Sequence, residues 1–193
     1  MPLWLETFLT AFIPLFVAID PVGLVPVYLG MAEGVPRDRR NVVANEAAIT
    51  ALLIAVGFLF LGNFIFNALG ITVNDFRVAG GLILFGLAAQ DILATDRRDA
   101  DARTDFGVVP LGMPIIAGPA MLTALLTLDS LTGRTVTLIA LLVNLLIVLV
   151  ALRAATLFQR LLGLRAMRAV SKIVALLLAA IAVNLVRRGL QGR

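Results

Sequence analysis

The 193 residues are 61% hydrophobic and only 15% charged, with a mean hydropathy of +1.03, which excludes an ordinary water-soluble domain. The chain has neither cysteine nor histidine, so disulfides, thiolate chemistry and His-based metal sites are excluded and no metal or cofactor is expected. A formal charge of +4 and a pI near 10.9 would suit nucleic acid, but the arginines sit in short clusters between apolar runs, so membrane lipid is the expected partner and nucleic acid is not.

Six apolar stretches approach or exceed the roughly 20 residues that a helix needs to cross about 30 Å of hydrocarbon. They lie near Phe8–Met31, Val42–Asn67, Phe76–Ala94, Phe106–Leu128, Arg134–Phe158 and Val170–Val186. The first has no basic start, is too long for a signal peptide and carries Asp20-Pro21 in its middle, so it is expected to stay as a span. Proline there removes a backbone donor and clashes with the preceding turn, which predicts a break. Asp is a good N-cap and Pro suits the first helical position, so a second half-helix is expected to start at Pro21 and run through Tyr28.

The second span carries Asn45 and Glu46 about one turn inside, where Glu46 either reaches the interface or joins a polar path. The third opens with Asp75 and Arg77 and closes with Gln90 and Asp91; its Gly80-Gly81, Gly86 and Ala88-Ala89 form a small face suited to close packing. The fourth contains Gly118-Pro119, where Gly ends one half-helix and Pro starts the next, followed by Thr123 and Thr127. Deeper in the fifth and sixth lie Asn144, Arg153, Lys172 and Asn184. Arg153 and Lys172 are candidates to pair with carboxylates, and the amides and hydroxyls to bond between helices.

Two halves match in outline. Pro21 and Pro119 lie 98 residues apart, and Arg77-Val78-Ala79 lines up with Lys172-Ile173-Val174 at an offset of 95. Three spans per half force the second copy to enter from the opposite side. The expected fold is thus an all-α membrane protein of six transmembrane helices in two inverted three-helix repeats, with helices one and four broken. Residues 1–95 form the first repeat, 96–105 a charged cytoplasmic linker and 106–193 the second repeat. Arginines in the first, third and fifth connections (Arg37, Arg39, Arg40, Arg97, Arg98, Arg103, Arg160, Arg165, Arg168) outnumber those opposite (Arg77, Arg134, Arg187, Arg188, Arg193), so both termini are expected outside the cytoplasm.

Non-helical backbone at membrane depth is tolerated only when buried in protein or lining a wet cavity, so both breaks should face inward and approach each other. Amides around Val22, Gly23 and Leu24, and around Ala120, Met121 and Leu122, with two helix-dipole ends, would suit a carboxylate. Asp20 supplies the opposite charge. Together with Pro21, Gly118 and Pro119 these residues make a candidate substrate site for a small zwitterion such as an amino acid. Glu46, Asn45, Lys172 and Thr123 are candidates for a coupling or polar path. The structural alternative is that Asp20 only caps its half-helix and Gly118 only permits close packing.

The segment Phe16-Val17-Ala18-Ile19-Asp20-Pro21-Val22-Gly23-Leu24-Val25-Pro26, the Phe76–Gly81 start of the third span, and Pro110–Pro119 together resemble the MarC family of inner-membrane proteins across nearly the whole chain. The resemblance implies a bacterial inner-membrane location. Its SnatA-type members imply proton-driven transport of small neutral amino acids such as glycine and alanine. Where relatives commonly carry Asn after the first Gly and Gly after the second Pro, this chain has Leu24 and Ala120. The expected function is therefore a secondary transporter rather than an enzyme, with an amino acid and protons as small-molecule partners and association into a homo-oligomer left open. The rivals are a channel or structural membrane protein and, from another class, an intramembrane aspartyl protease using Asp20 and Asp91. The protease needs two carboxylates that share a proton, which a midplane Asp20 and a rim Asp91 are badly placed to do.

Overall fold

A computed structural model describes residues 2–32, 34–93 and 106–192, and the side chains of Arg37, Gln90, Asp91, Leu93 and, within the last helix, of 156–172 and 174 lie outside the described set. The chain is helical: α1 (Leu3–Ile19), α2 (Pro21–Met31), α3 (Arg37–Leu69), α4 (Val73–Leu93), a π-type segment (Gly107–Ile116), α5 (Pro119–Thr132) and α6 (Arg134–Gln191). The linker expected at 96–105, with Arg97, Arg98 and Arg103, is outside the described residues.

Among the described residues, three stretches are long and apolar enough to cross a membrane: Leu3–Met31, Asp38–Leu69 and Arg134–Ala155. The π-type segment and α5, bent by 54° at their junction, form a fourth if counted as one broken span. Both breaks expected from the sequence are present. α1 stops at Ile19 and α2 starts at Pro21, while the fourth stretch divides between Ile116 and Pro119. The first half of that stretch departs from a plain helix. Val109 and Met113, each preceding a proline, take extended dihedrals, as the proline ring demands of its predecessor. Leu111 N–H then reaches back five residues to Phe106 O (3.1 Å) and Ala117 N–H to Gly112 O (2.9 Å), the wider spacing of a π turn.

α6 is assigned helical over 58 residues, about 87 Å at 1.5 Å per residue, yet its contacts require two antiparallel limbs. Arg134 lies over the Phe60 ring of α3 and Arg153 reaches Asn45 nearer the start of α3. Further on, Val186 packs on Gly81 and Gly189 on Val78 and Asn74 near the start of α4. The chain has therefore reversed between Arg153 and Val186.

In lipid, apolar burial gives little drive for helix association, so close approach of small residues matters more. Ala44, Ala47, Ala51 and Ala55 make a fully buried stripe on α3 at helical spacing. The π-type segment lies along this helix in parallel, Gly107 against Val43 and Glu46 and Gly112 against Thr50. A Cβ at Gly112 would stand 2.8 Å from Thr50 Cβ. Larger side chains, among them Leu15, Tyr28, Leu111, Met121, Leu125 and Leu141, fill the centre between α1, α2, the π-type segment, α5 and α6. Leu53, Phe64, Leu146 and Val150 are exposed and suit contact with acyl chains. Asn144, fully buried, donates to Phe12 O (3.3 Å) and Ala140 O (2.9 Å), tying α6 to α1. The Tyr28 hydroxyl donates to Arg40 O (2.8 Å), which pins the end of α2 to the start of α3.

Candidate functional site

Asp20 is the joint between α1 and α2 and serves both. Its N–H donates to Phe16 O (2.9 Å), closing α1, while its side-chain Oδ1 accepts the Gly23 N–H (3.0 Å), capping α2. Its φ of 51° and ψ of 65° are left-handed, a conformation that Asp visits more readily than most residues because its short polar side chain bonds locally. Gly23 follows from this cap: a Cβ there would collide with the Asp20 carboxylate. Asp20 O also accepts Leu24 N–H (3.0 Å). Two of the amides expected to be open at this break, those of Gly23 and Leu24, are thus taken by Asp20 itself.

The second break is built differently. Gly118 is extended (φ −87°, ψ 172°) and gives α5 no side-chain cap. Here the glycine is needed for close approach, since a Cβ would stand 2.6 Å from Pro114 O. Leu122 N–H finds Gly118 O (3.0 Å), whereas Ala120 and Met121 N–H have no acceptor among the described residues. The open positive end of a helix is therefore found at α5. Pro119 seats on α4, where Gly80 leaves no room for a side chain.

The breaks meet. A cavity of about 260 Å³ is lined by Asp20, Gly23 and Leu24 from the first and by Gly118, Pro119 and Ala120 from the second. The remaining candidates fall elsewhere. Pro21 is buried beside the cavity, Val22 is 73% exposed, and Met121 is sealed in the core. Thr123 is buried and its hydroxyl returns to Ala120 O (3.1 Å). Glu46 is half-buried and faces Arg39 at 3.8 Å. Asn45 accepts from Arg153 (2.8 Å). The side chains of Lys172 and Asp91 are outside the described residues.

Sequence reasoning missed much of the wall, including Val27 of α2, Leu84 of α4, Ile115 and, from the second limb of α6, Leu177, Leu178, Ile181 and Leu185. Leucine and isoleucine in an apolar span carry no signal that separates a cavity wall from a lipid face. The only hint was the Gly80-Gly81 pair, which draws both α5 and the second limb close to α4.

A family model described as "MarC family integral membrane protein" matches residues 5–193. The "UPF0056 membrane protein YvbG" of Bacillus subtilis is 28% identical, covering 94% of this chain and 92% of the relative. A "UPF0056 membrane protein" of Aquifex aeolicus is 30% identical over 97% of this chain and 96% of its own length. One of Archaeoglobus fulgidus is 30% identical with 97% and 93% covered. No solved structure matches.

Proposed function

The chain belongs to the MarC family of integral membrane proteins, and from that premise we propose that it is a proton-coupled secondary transporter of small neutral amino acids, working by alternating access. The observation that carries the reading is the cavity shared by two helix breaks. Discontinuous helices facing a common cavity are the usual way a transporter places charge-matching groups at membrane depth without exposing backbone to lipid. In this site the two breaks offer complementary partners. Asp20 Oδ1 is held by Gly23 N–H, which leaves Oδ2 for a ligand ammonium or a proton. The uncapped start of α5 suits the ligand carboxylate. An unpaired carboxylate in a bilayer is costly, and a ligand ammonium beside Asp20 would balance its charge. No catalytic step is assigned to any residue.

The same reading takes α1 with α2, α3, α4, the π-type segment with α5, and the two limbs of α6 as six crossings in two inverted groups of three. It places the protein in the bacterial inner membrane with both termini outside the cytoplasm, following the arginine bias. One chain supplies the whole site, whether or not copies associate. Cysteine scanning tests the orientation cleanly because the native chain has no cysteine: a Cys at Ala100 should resist a membrane-impermeant thiol reagent in intact cells, and labelling from outside would reverse the topology. The function is tested by uptake and counterflow of labelled amino acids in proteoliposomes under an imposed proton gradient. Accumulation above that in empty liposomes is expected; absence of flux and of binding for every amino acid would sink the reading.

A further inference from the structure

We propose that the cavity selects an amino acid with a branched aliphatic side chain, of valine to leucine size, over glycine and alanine. The inference rests on the transporter reading above and concerns which member of the neutral class the site holds. Its charged and open backbone groups lie only at the breaks, Asp20 on one side and the start of α5 on the other. Everything else that lines it is aliphatic, proline or glycine, including Leu24, Val27, Leu84, Leu178 and Ile181. No aromatic ring, hydroxyl, amide or second ionisable side chain faces it among the described residues.

A ligand whose ammonium and carboxylate use the two breaks must therefore put its side chain against this wall. A hydroxyl, amide or charge there would lose its water without gaining a hydrogen bond. Glycine or alanine would satisfy the breaks but leave much of about 260 Å³ unfilled. Apolar walls then face either a void, which forfeits dispersion contacts, or water that finds too few polar partners. Each added methylene that fills such a pocket is worth about 10-fold or more in discrimination. Leu24 contributes directly, since it lines the cavity with an apolar, 4% exposed side chain.

The experiment is uptake of labelled glycine, alanine, valine and leucine by proteoliposomes, each also competed with the unlabelled others. Valine or leucine favoured by at least about 10-fold over glycine in half-saturating concentration is the expected result. Measurable transport with glycine or alanine preferred would overturn this inference and leave the transporter reading standing. No flux or binding of any of them would overturn both. The Ile181→Phe variant sharpens the assignment: Ile181 is 44% exposed, so the change has room to be accommodated, and the ring narrows the cavity. Its preference should move toward alanine by several-fold; an unchanged order of substrates in the folded variant would place the selecting wall elsewhere and overturn the proposal.

Discussion

The two breaks share a sequence plan, a residue that ends a helix followed by proline, yet they resolve it in opposite ways. At the first, Asp20 turns left-handed and spends its side chain and carbonyl on the amides of Gly23 and Leu24. At the second, Gly118 stays extended and Ala120 and Met121 N–H find no acceptor among the described residues. One break has become the acidic pole of the cavity and the other the amide pole. The difference shows that a repeated X-Pro motif fixes where backbone is interrupted, while the residue before the proline decides which charge the interruption presents.

The largest effect that would break this comparison is at Asp20. Asn tolerates left-handed backbone and can offer Gly23 the same carbonyl-type oxygen, so Asp20→Asn should fold with stability within about 0.5 kcal/mol of wild type. It nevertheless removes the acidic pole, and uptake should fall by at least about 10-fold, the scale on which loss of one charge-assisted contact acts. Asp20→Ala should in addition lose about 1 kcal/mol from the missing cap. Uptake in proteoliposomes together with thermal unfolding in detergent separates the two. Wild-type uptake in Asp20→Asn would reduce the residue to a helix cap.

A smaller effect is expected at the packing that holds the amide pole in place. Gly80→Ala would drive a methyl group into the Pro119 ring, a rigid neighbour that cannot swing aside, and overpacking of this kind costs about 1–3 kcal/mol. The variant should unfold at lower temperature, with transport reduced because α5 is displaced from Asp20. Gly86→Ala, on the same helix but with open space beside it, is the control and should be close to neutral. Equal stability of the two variants would mean that α4 does not position the second break.

The sequence showed these breaks because proline and its predecessor leave a local, chemical trace: Asp20-Pro21 and Gly118-Pro119 both interrupt helices where expected. It also showed that the chain is helical and membrane-embedded, since hydropathy over 20 residues is a strong signal. Which amides remain open was not legible, because Asp20 consumes Gly23 and Leu24 N–H through dihedrals that the residue types alone do not dictate. Nor was the aliphatic wall. Leu178 and Ile181 reach the cavity only through the return of the second limb of α6 along α4, a tertiary fact with no local marker. The π-type segment escaped as well, although Pro110 and Pro114 at four-residue spacing already argue against a regular first half.

The smallest effect concerns the other carboxylate that sequence reasoning placed inside a span. Glu46 is half-buried, stands 3.8 Å from Arg39 on its own helix, and backs onto Gly107 of the π-type segment. It does not line the cavity that Asp20 shares with Gly118. Two turns separate it from Arg39, so the pair lies along one face of α3 near the end where Arg40 and Arg153 also stand. With the Glu46 side chain 33% and the Arg39 side chain 40% exposed, the pair is screened, and such pairs are worth about 0–1 kcal/mol. Glu46→Gln keeps the volume that Gly107 packs against and should change stability by less than about 1 kcal/mol and uptake by less than about twofold. Asp20→Asn measured beside it in the same liposomes should show the far larger loss of uptake. The reverse pattern, uptake lost in Glu46→Gln and kept in Asp20→Asn, would move the functional carboxylate out of the cavity and onto α3, and leave the acidic pole of the first break with only its capping role.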